Sequence, residues 1–253
     1  DKTLSFGLLN DVEQWTLLDP VYKAYTKDLC GYAERGEKEW KRLLGSFFAE
    51  GVNIAVVKND EGQIEGYAVY RLGAPEIPVT EFVYTTRRAQ RGLLNYFYNH
   101  RSQGESIRWN EGLHDTGYRF VPDGKTGHTT MPYMMARIVD VETALTTVPV
   151  NPEAVMMPIT LNIKVTDTLC DWNNGVFALT LGESTLPNVK RVSAESVDEI
   201  DITIDIGGLT VLLMGAVSAK DLVFEGKLQG ESHWIDYIDM VYPKQNTYIN
   251  EWW

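Results

Sequence analysis

Residues Glu81–His100 read EFVYTTRRAQRGLLNYFYNH, and the pattern changes in the middle of the run. The stretch PVTEFVYT over 78–85 is rich in β-branched and aromatic residues, which predicts a strand. The chain then becomes helical in character from about Arg87 to Arg101, and SIRWN at 106–110 predicts a further strand. Working back toward the N-terminus, NIAVVK (53–58) and IEGYAVYRL (64–72) flank the turn NDEG (59–62), a hairpin signal. Before them, Glu37 to Phe48 predicts a helix with Trp40, Leu43, Leu44, Phe47 and Phe48 on one side. Asp11 is a helix N-cap ahead of Trp15, Leu18, Tyr22, Tyr25 and Leu29 at helical spacing, and LSFGLL (4–9) is a strand. The order β, α, α, β-hairpin, β, α, β indicates one α/β layer structure.

Toward the C-terminus the pattern is different. FVPDGKTGHTTMP (120–132) is a polar, Gly- and Pro-rich connection that places a domain boundary near residues 128–133, giving domains 1–130 and 131–253. MPITLNIKV (157–165), NGVFALTLG (174–182), PNVKRVS (187–193) and EIDITIDI (199–206) are strands in succession, the last with Asp201, Thr203 and Asp205 on its wet face. Helices follow at LTVLLMG (209–215), at SAKDLVFEG (218–226), capped by Ser218 and stopped by Gly226, and at SHWIDYIDMVYP (232–243). Strands first and helices afterwards predict an α+β domain.

Composition narrows the function classes. Lys+Arg 23 against Asp+Glu 35 gives a net charge of -12, which argues against a phosphate-binding surface and hence against nucleic acid. The same charge suits a cationic substrate. No apolar run approaches the length of a membrane span, and no signal-peptide pattern occurs. Cys30 and Cys170 stand far apart, outside any C-x-x-C arrangement, as expected of buried thiols in a reducing cytoplasm. The DGKT of 123–126 is not a phosphate loop, because the glycine required five positions before Gly124 is Arg119. His100, His114, His128 and His233 form no metal-ligand pattern, and no nucleophile motif occurs, so no metal or covalent chemistry is expected.

One feature remains: the chain closes with TYINEWW (247–253). Two tryptophans at an end that would ordinarily fray either pin it to the core or place a carboxylate in a site.

The helix–strand order of the first half, the NDEG hairpin and the passage EFVYTTRRAQRGLLNYFYNH resemble the acetyltransferase fold of the GNAT superfamily. There a splayed strand and the next helix N-terminus hold the pyrophosphate of acetyl-CoA through Arg/Gln-x-x-Gly-x-Gly/Ala. This chain has only Gly92 in that loop. PYMMARIVDVETAL (132–145), LTVLLMGAVSAKDLVFEG (209–226) and YINEWW (248–253) resemble the C-terminal part of the enhanced intracellular survival acetyltransferases. Members carry an active GNAT domain, a degenerate second one and a domain with a sterol-carrier-protein-like (SCP2) fold.

The resemblance implies that this chain is the second and third parts, with the N-terminal catalytic domain absent and acetyl-CoA bound there. It implies an N-acetyltransferase acting on an amine of an aminoglycoside, a polyamine or lysine, in a cytoplasmic homo-oligomer, with this chain inactive by itself. It also implies that the α-carboxylate of Trp253 is the general base. From their own chemistry, Trp252 is read as an apolar collar and Glu251 as an acidic group that draws in a cationic amine, both beside the substrate. The alternatives are a non-catalytic lipid- or small-molecule-binding module, with Met156, Met157, Phe177, Leu212 and Leu213 as tunnel or as core, and an oligomerisation scaffold.

Overall fold

A computed structural model describes residues 4–73, 75–115, 117, 127–131, 134–182 and 186–251. The chain forms two compact units: Asp1–Thr130 joined by the segment that starts at Tyr248, and Met131–Thr247. The tail therefore groups with the first unit, whereas the sequence reading carried the second domain through to residue 253. The DGKT turn, Trp252 and Trp253 lie outside the described residues.

In the first unit, β1 (Ser5–Leu9), α1 (Trp15–Thr26), α2 (Glu37–Ala49), β2 (Asn53–Lys58), β3 (Ile64–Tyr70), β4 (Glu76–Tyr84), α3 (Arg87–Asn99) and β5 (Ser106–Trp109) follow the predicted order. Asp11 accepts from Glu13 N and Gln14 reaches back to the Asp11 backbone, a reciprocal cap that starts the helical segment. The five strands lie in the order β1-β2-β3-β4-β5, antiparallel except for β4 with β5.

Strand alternation sends residues to two faces. Ile54, Val56, Tyr67 and Val69 meet Leu18, Tyr22, Trp40 and Leu44 of α1 and α2. Ala55, Val57, Ala68 and Tyr70 meet Ala89, Leu93 and Phe97 of α3. The sheet is thus covered on both faces, and its central strands read as unbroken apolar runs.

β4 carries the feature that builds the site. Tyr70 pairs with Val79 and Val69 with Glu81, so Thr80 is an extra residue, a bulge. Ile77 and Val79 sit on the α3 face; after the bulge Phe82 takes that face, and Val83 packs on the α1/α2 face. Without the extra residue, strict alternation would have put Glu81 on the face of Ile77 and Val79. The bulge re-aims it toward α1 and α2. The ladder with β5 also ends here, at Val79 opposite Trp109, so Thr80–Tyr84 run past their parallel neighbour.

In the second unit, α4 (Val141–Thr147) precedes β6 (Ile159–Thr166), β7 (Gly175–Leu181), β8 (Asn188–Val192), β9 (Ile202–Asp205), α5 (Ile206–Leu213), α6 (Ala219–Phe224), β10 (Leu228–Gly230) and α7 (Ser232–Val241). The sheet order is β10-β9-β6-β7-β8, with β6 and β9 parallel. Leu145, Leu161, Leu179, Leu209 and Leu222 belong to one core. The carboxylates read as the wet face of β9 have local partners: Asp205 caps Gly208 N at the start of α5, and Asp201 accepts from Asn162 N.

Candidate functional site

The first unit has at its centre a buried guanidinium. Arg35, just before α2, is 6% exposed, and Glu81 on β4 and Glu251 in the tail are 2% and 9% exposed. Glu81 takes one edge of the fork: Arg35 Nη2 donates to Glu81 Oε1 at 2.5 Å and Nη1 to Oε2 at 3.3 Å. Glu251 takes the other edge, its Oε1 lying 2.6 Å from both Nε and Nη2. Tyr67 on β3 donates from its hydroxyl to Glu81 Oε2 at 2.8 Å, and Tyr22 and Trp40 present their rings to the guanidinium at 4.2 and 4.7 Å.

Burial opposes the charge on Arg35, and the Glu81 carboxylate outweighs it, holding the guanidinium above its ordinary range. Burial, and then the Glu81 charge, pushes the Tyr67 phenol well up, and burial does the same to Tyr22. Both phenols are neutral donors at physiological pH and have no use as bases.

The tail is fixed at three points. Tyr248 N donates to Cys30 O at 2.9 Å, and the Tyr248 ring packs edge-on against Tyr25. Asn250 Nδ2 donates to Thr80 O at 2.5 Å, the carbonyl that the bulge leaves beside the end of β5. Glu251 closes on Arg35. The sequence reading placed Glu251 with the substrate; in the structure its carboxylate is buried against Arg35 in an ion pair. Arg35, Glu81 and Tyr67 were not foreseen.

A second polar group stands at the end of β4. Tyr84 donates to Asp115 Oδ2, Gln90 Nε2 donates to the Tyr84 oxygen at 2.9 Å, and Gly117 N donates to Asp115 Oδ1 at 2.7 Å. Burial raises the Tyr84 phenol and the Glu111 carboxyl, and lowers His114.

These residues also bear on the loop expected to meet a pyrophosphate. The Thr86 hydroxyl accepts from Ala89 N at 3.1 Å and donates to Glu65 Oε2 at 2.9 Å, so the start of α3 is capped from within. Gly92 serves close packing: a Cβ there would lie 2.8 Å from Leu4 Cδ1 and 3.4 Å from Val57 Cγ2. The residues present do not fit acetyl-CoA at this loop.

In the second unit a cleft of about 300 Å³ is lined by Val148, Val150, Leu212, Leu213, Tyr242 and Gln245, among others. Of the five residues read as tunnel or as core, Phe177, Leu212 and Leu213 belong to the core, the last two also lining the cleft, while Met156 and Met157 are exposed and belong to neither. The two methionines precede β6 in a segment without regular structure, where no layer covers them. Among the described residues no three His, Cys, Asp or Glu side chains are placed to hold a metal ion, and no helix is long and apolar enough to cross a membrane.

Comparison with known proteins agrees with this architecture. Residues 31–138 match the family described as acetyltransferase (GNAT) domain, and residues 141–250 the sterol carrier protein domain. No curated protein matches. A protein of Enterococcus faecalis V583, described as a "probable N-acyltransferase", superposes with a TM-score of 0.86 at 23% identity, over 99% of this chain and 62% of its own. A GCN5-related N-acetyltransferase of Anabaena variabilis gives 0.80 at 18% identity, over 99% and 63%. Eis1 of Mycobacterium abscessus gives 0.67 at 21% identity, over 98% and 62%. The chain is a GNAT fold followed by an SCP2-like domain, and it spans about three fifths of the length of these structures.

Proposed function

We propose that this chain is the C-terminal part of an acetyl-CoA-dependent N-acetyltransferase acting on amines of an aminoglycoside, a polyamine or lysine. The observation that carries the reading is the course of the tail. It leaves the SCP2-like unit and is fixed on the GNAT-like unit at Tyr248, Asn250 and Glu251, two positions before Trp253. On this reading the unit has become a platform that presents the tail, and the Trp253 α-carboxylate takes a proton from the substrate amine. An α-carboxyl has a reference pKa of roughly 3.3–3.7, and apolar neighbours raise it toward useful basicity.

Acetyl-CoA supplies the activated acyl group and binds a further domain, since Thr86 and Gly92 are engaged in capping and packing here. Calorimetric titration of this chain with acetyl-CoA tests the reading. The expected result is no binding at millimolar ligand. Clear micromolar binding would place the catalytic centre in this chain and overturn it.

A second reading, small-molecule or lipid binding by the SCP2-like unit, has one observation in its favour. The Tyr242 hydroxyl beside the cleft is buried and has no hydrogen-bond partner among the described residues. Native mass spectrometry of the purified chain tests it by looking for a retained ligand, and a bare mass counts against it.

A further inference from the structure

We infer that the Arg35 cluster is a preformed receptor for the chain's own C-terminal segment. Arg35 and Glu81 act in it as positioning residues, and Glu251 is the group they capture. The inference rests on the acetyltransferase reading only for what the captured segment is used for; the capture itself stands on the geometry.

The receptor is complete on the GNAT-like side. Glu81 grips one edge of the guanidinium with both oxygens, Tyr67 fixes Glu81 from β3, and Tyr22 and Trp40 pack against the fork from α1 and α2. Arg35 is therefore held by groups from four elements with no help from the tail. The edge left over presents Nε and Nη2 side by side, which is the geometry that suits a carboxylate oxygen. Glu251 Oε1 fills it at 2.6 Å. Because the site is preorganised, the cost of ordering falls mainly on the tail.

The chemistry chosen for this contact points to register more than to strength. An apolar side chain at position 251 would fasten a tail to a core without the desolvation that two carboxylates and a guanidinium incur. What a fork-to-carboxylate contact adds is direction, because it is satisfied in one position only. The ring of Tyr248 among Tyr25 and His114 supplies area but little directional information. Asn250 and Glu251 supply the direction, at the bulge carbonyl of Thr80 and at Arg35. Together they fix the register of the tail through Glu251. Thr80 and Glu81 owe their aim to the same β4 bulge, so one irregularity builds both halves of the receptor.

The test is hydrogen exchange with mass spectrometry on the full chain, comparing the peptide that spans residues 245–253 with one that spans β3 and β4. Glu251→Gln removes the charge at nearly constant shape and is expected to speed exchange in the tail peptide by about tenfold or more. The β3–β4 peptide is expected to keep its protection. Glu251→Asp keeps the carboxylate and is expected to stay within about threefold of the native chain. Arg35→Lys offers one point charge that Glu81 retains, and is expected to free the tail as Glu251→Gln does.

Tail exchange unchanged in Glu251→Gln, or Glu251→Asp as fast as Glu251→Gln, would overturn the inference. So would tail release accompanied by equal loss in β3 and β4, because the pair would then be ordinary core. If Arg35→Lys does not fold, the two Glu251 variants decide alone. No acetyl-CoA or amine enters the measurement, so a failure here and a failure of the acetyltransferase reading are told apart.

Discussion

Asp167, at the end of β6, is 4% exposed, and its carboxylate collects four donors. Arg137 Nη2 lies 2.5 Å from Oδ1, the backbone amides of Leu169 and Cys170 donate to the same oxygen, and Asn173 Nδ2 donates to Oδ2 at 2.9 Å. Burial works against ionisation, and these bonds outweigh it, so the carboxyl titrates well below its ordinary range. A folded-state pKa below the unfolded value of about 3.9 means a contribution that is present above that pH and lost as pH falls below it. Thermal unfolding between pH 7 and pH 2 should therefore show a steeper acid-side decline in the native chain than in Asp167→Asn, which starts lower at neutral pH. Parallel profiles would sink this assignment. Neither this hub nor the Arg35 cluster was legible beforehand, and for the same reason. Their members stand far apart in sequence, and an arginine or glutamate in a loop or strand carries no local mark of burial. Glu251 was singled out for its acidic side chain near the end of the chain, and its ion pair with Arg35 was not foreseen.

At the level of the elements, the sequence was much more informative. The strands and helices of the first unit follow from period, turn chemistry and caps, because each is long enough to express one pattern. Two short pieces, α4 and β10, did not stand out, and the apolar residues Met134, Met135 and Val139 lie exposed outside any regular element. The β4 bulge was hidden as well, since an extra residue in PVTEFVYT changes no composition. Close approach is equally invisible in sequence, and two glycines separate it from mere tolerance. In β3, a Cβ on Gly66 would meet the Val83 carbonyl oxygen at 2.8 Å, and backbone in a ladder cannot step aside. Gly45, inside α2, has nothing within 4 Å of the corresponding position. Gly66→Ala should thus cost about 1–3 kcal/mol by overpacking, while Gly45→Ala should add up to about 1 kcal/mol through helix propensity. Urea unfolding of the two variants gives both numbers, and equal signs would contradict the packing described here.

For the whole molecule, the decisive fact is that sequence order and structural membership part company at residue 248. The SCP2-like unit is bracketed by the GNAT-like unit, and the tail belongs to the core that contains Leu44, since Tyr248 packs in the same cluster. Leu161 belongs to the other core. Each leucine is fully buried, so truncating either to alanine should cost about 2–5 kcal/mol, felt first within its own cluster. The amides of Ile249–Glu251 then report on which unit holds the tail. In Leu44→Ala they should lose protection together with β2, and β6 should keep its own. In Leu161→Ala the loss should fall on β6 and β7, leaving the tail as protected as in the native chain. Native-state hydrogen exchange on the two variants decides the matter. If the tail amides instead follow Leu161→Ala, the tail draws its order from the unit that precedes it in sequence, and the GNAT-like unit is no platform for it.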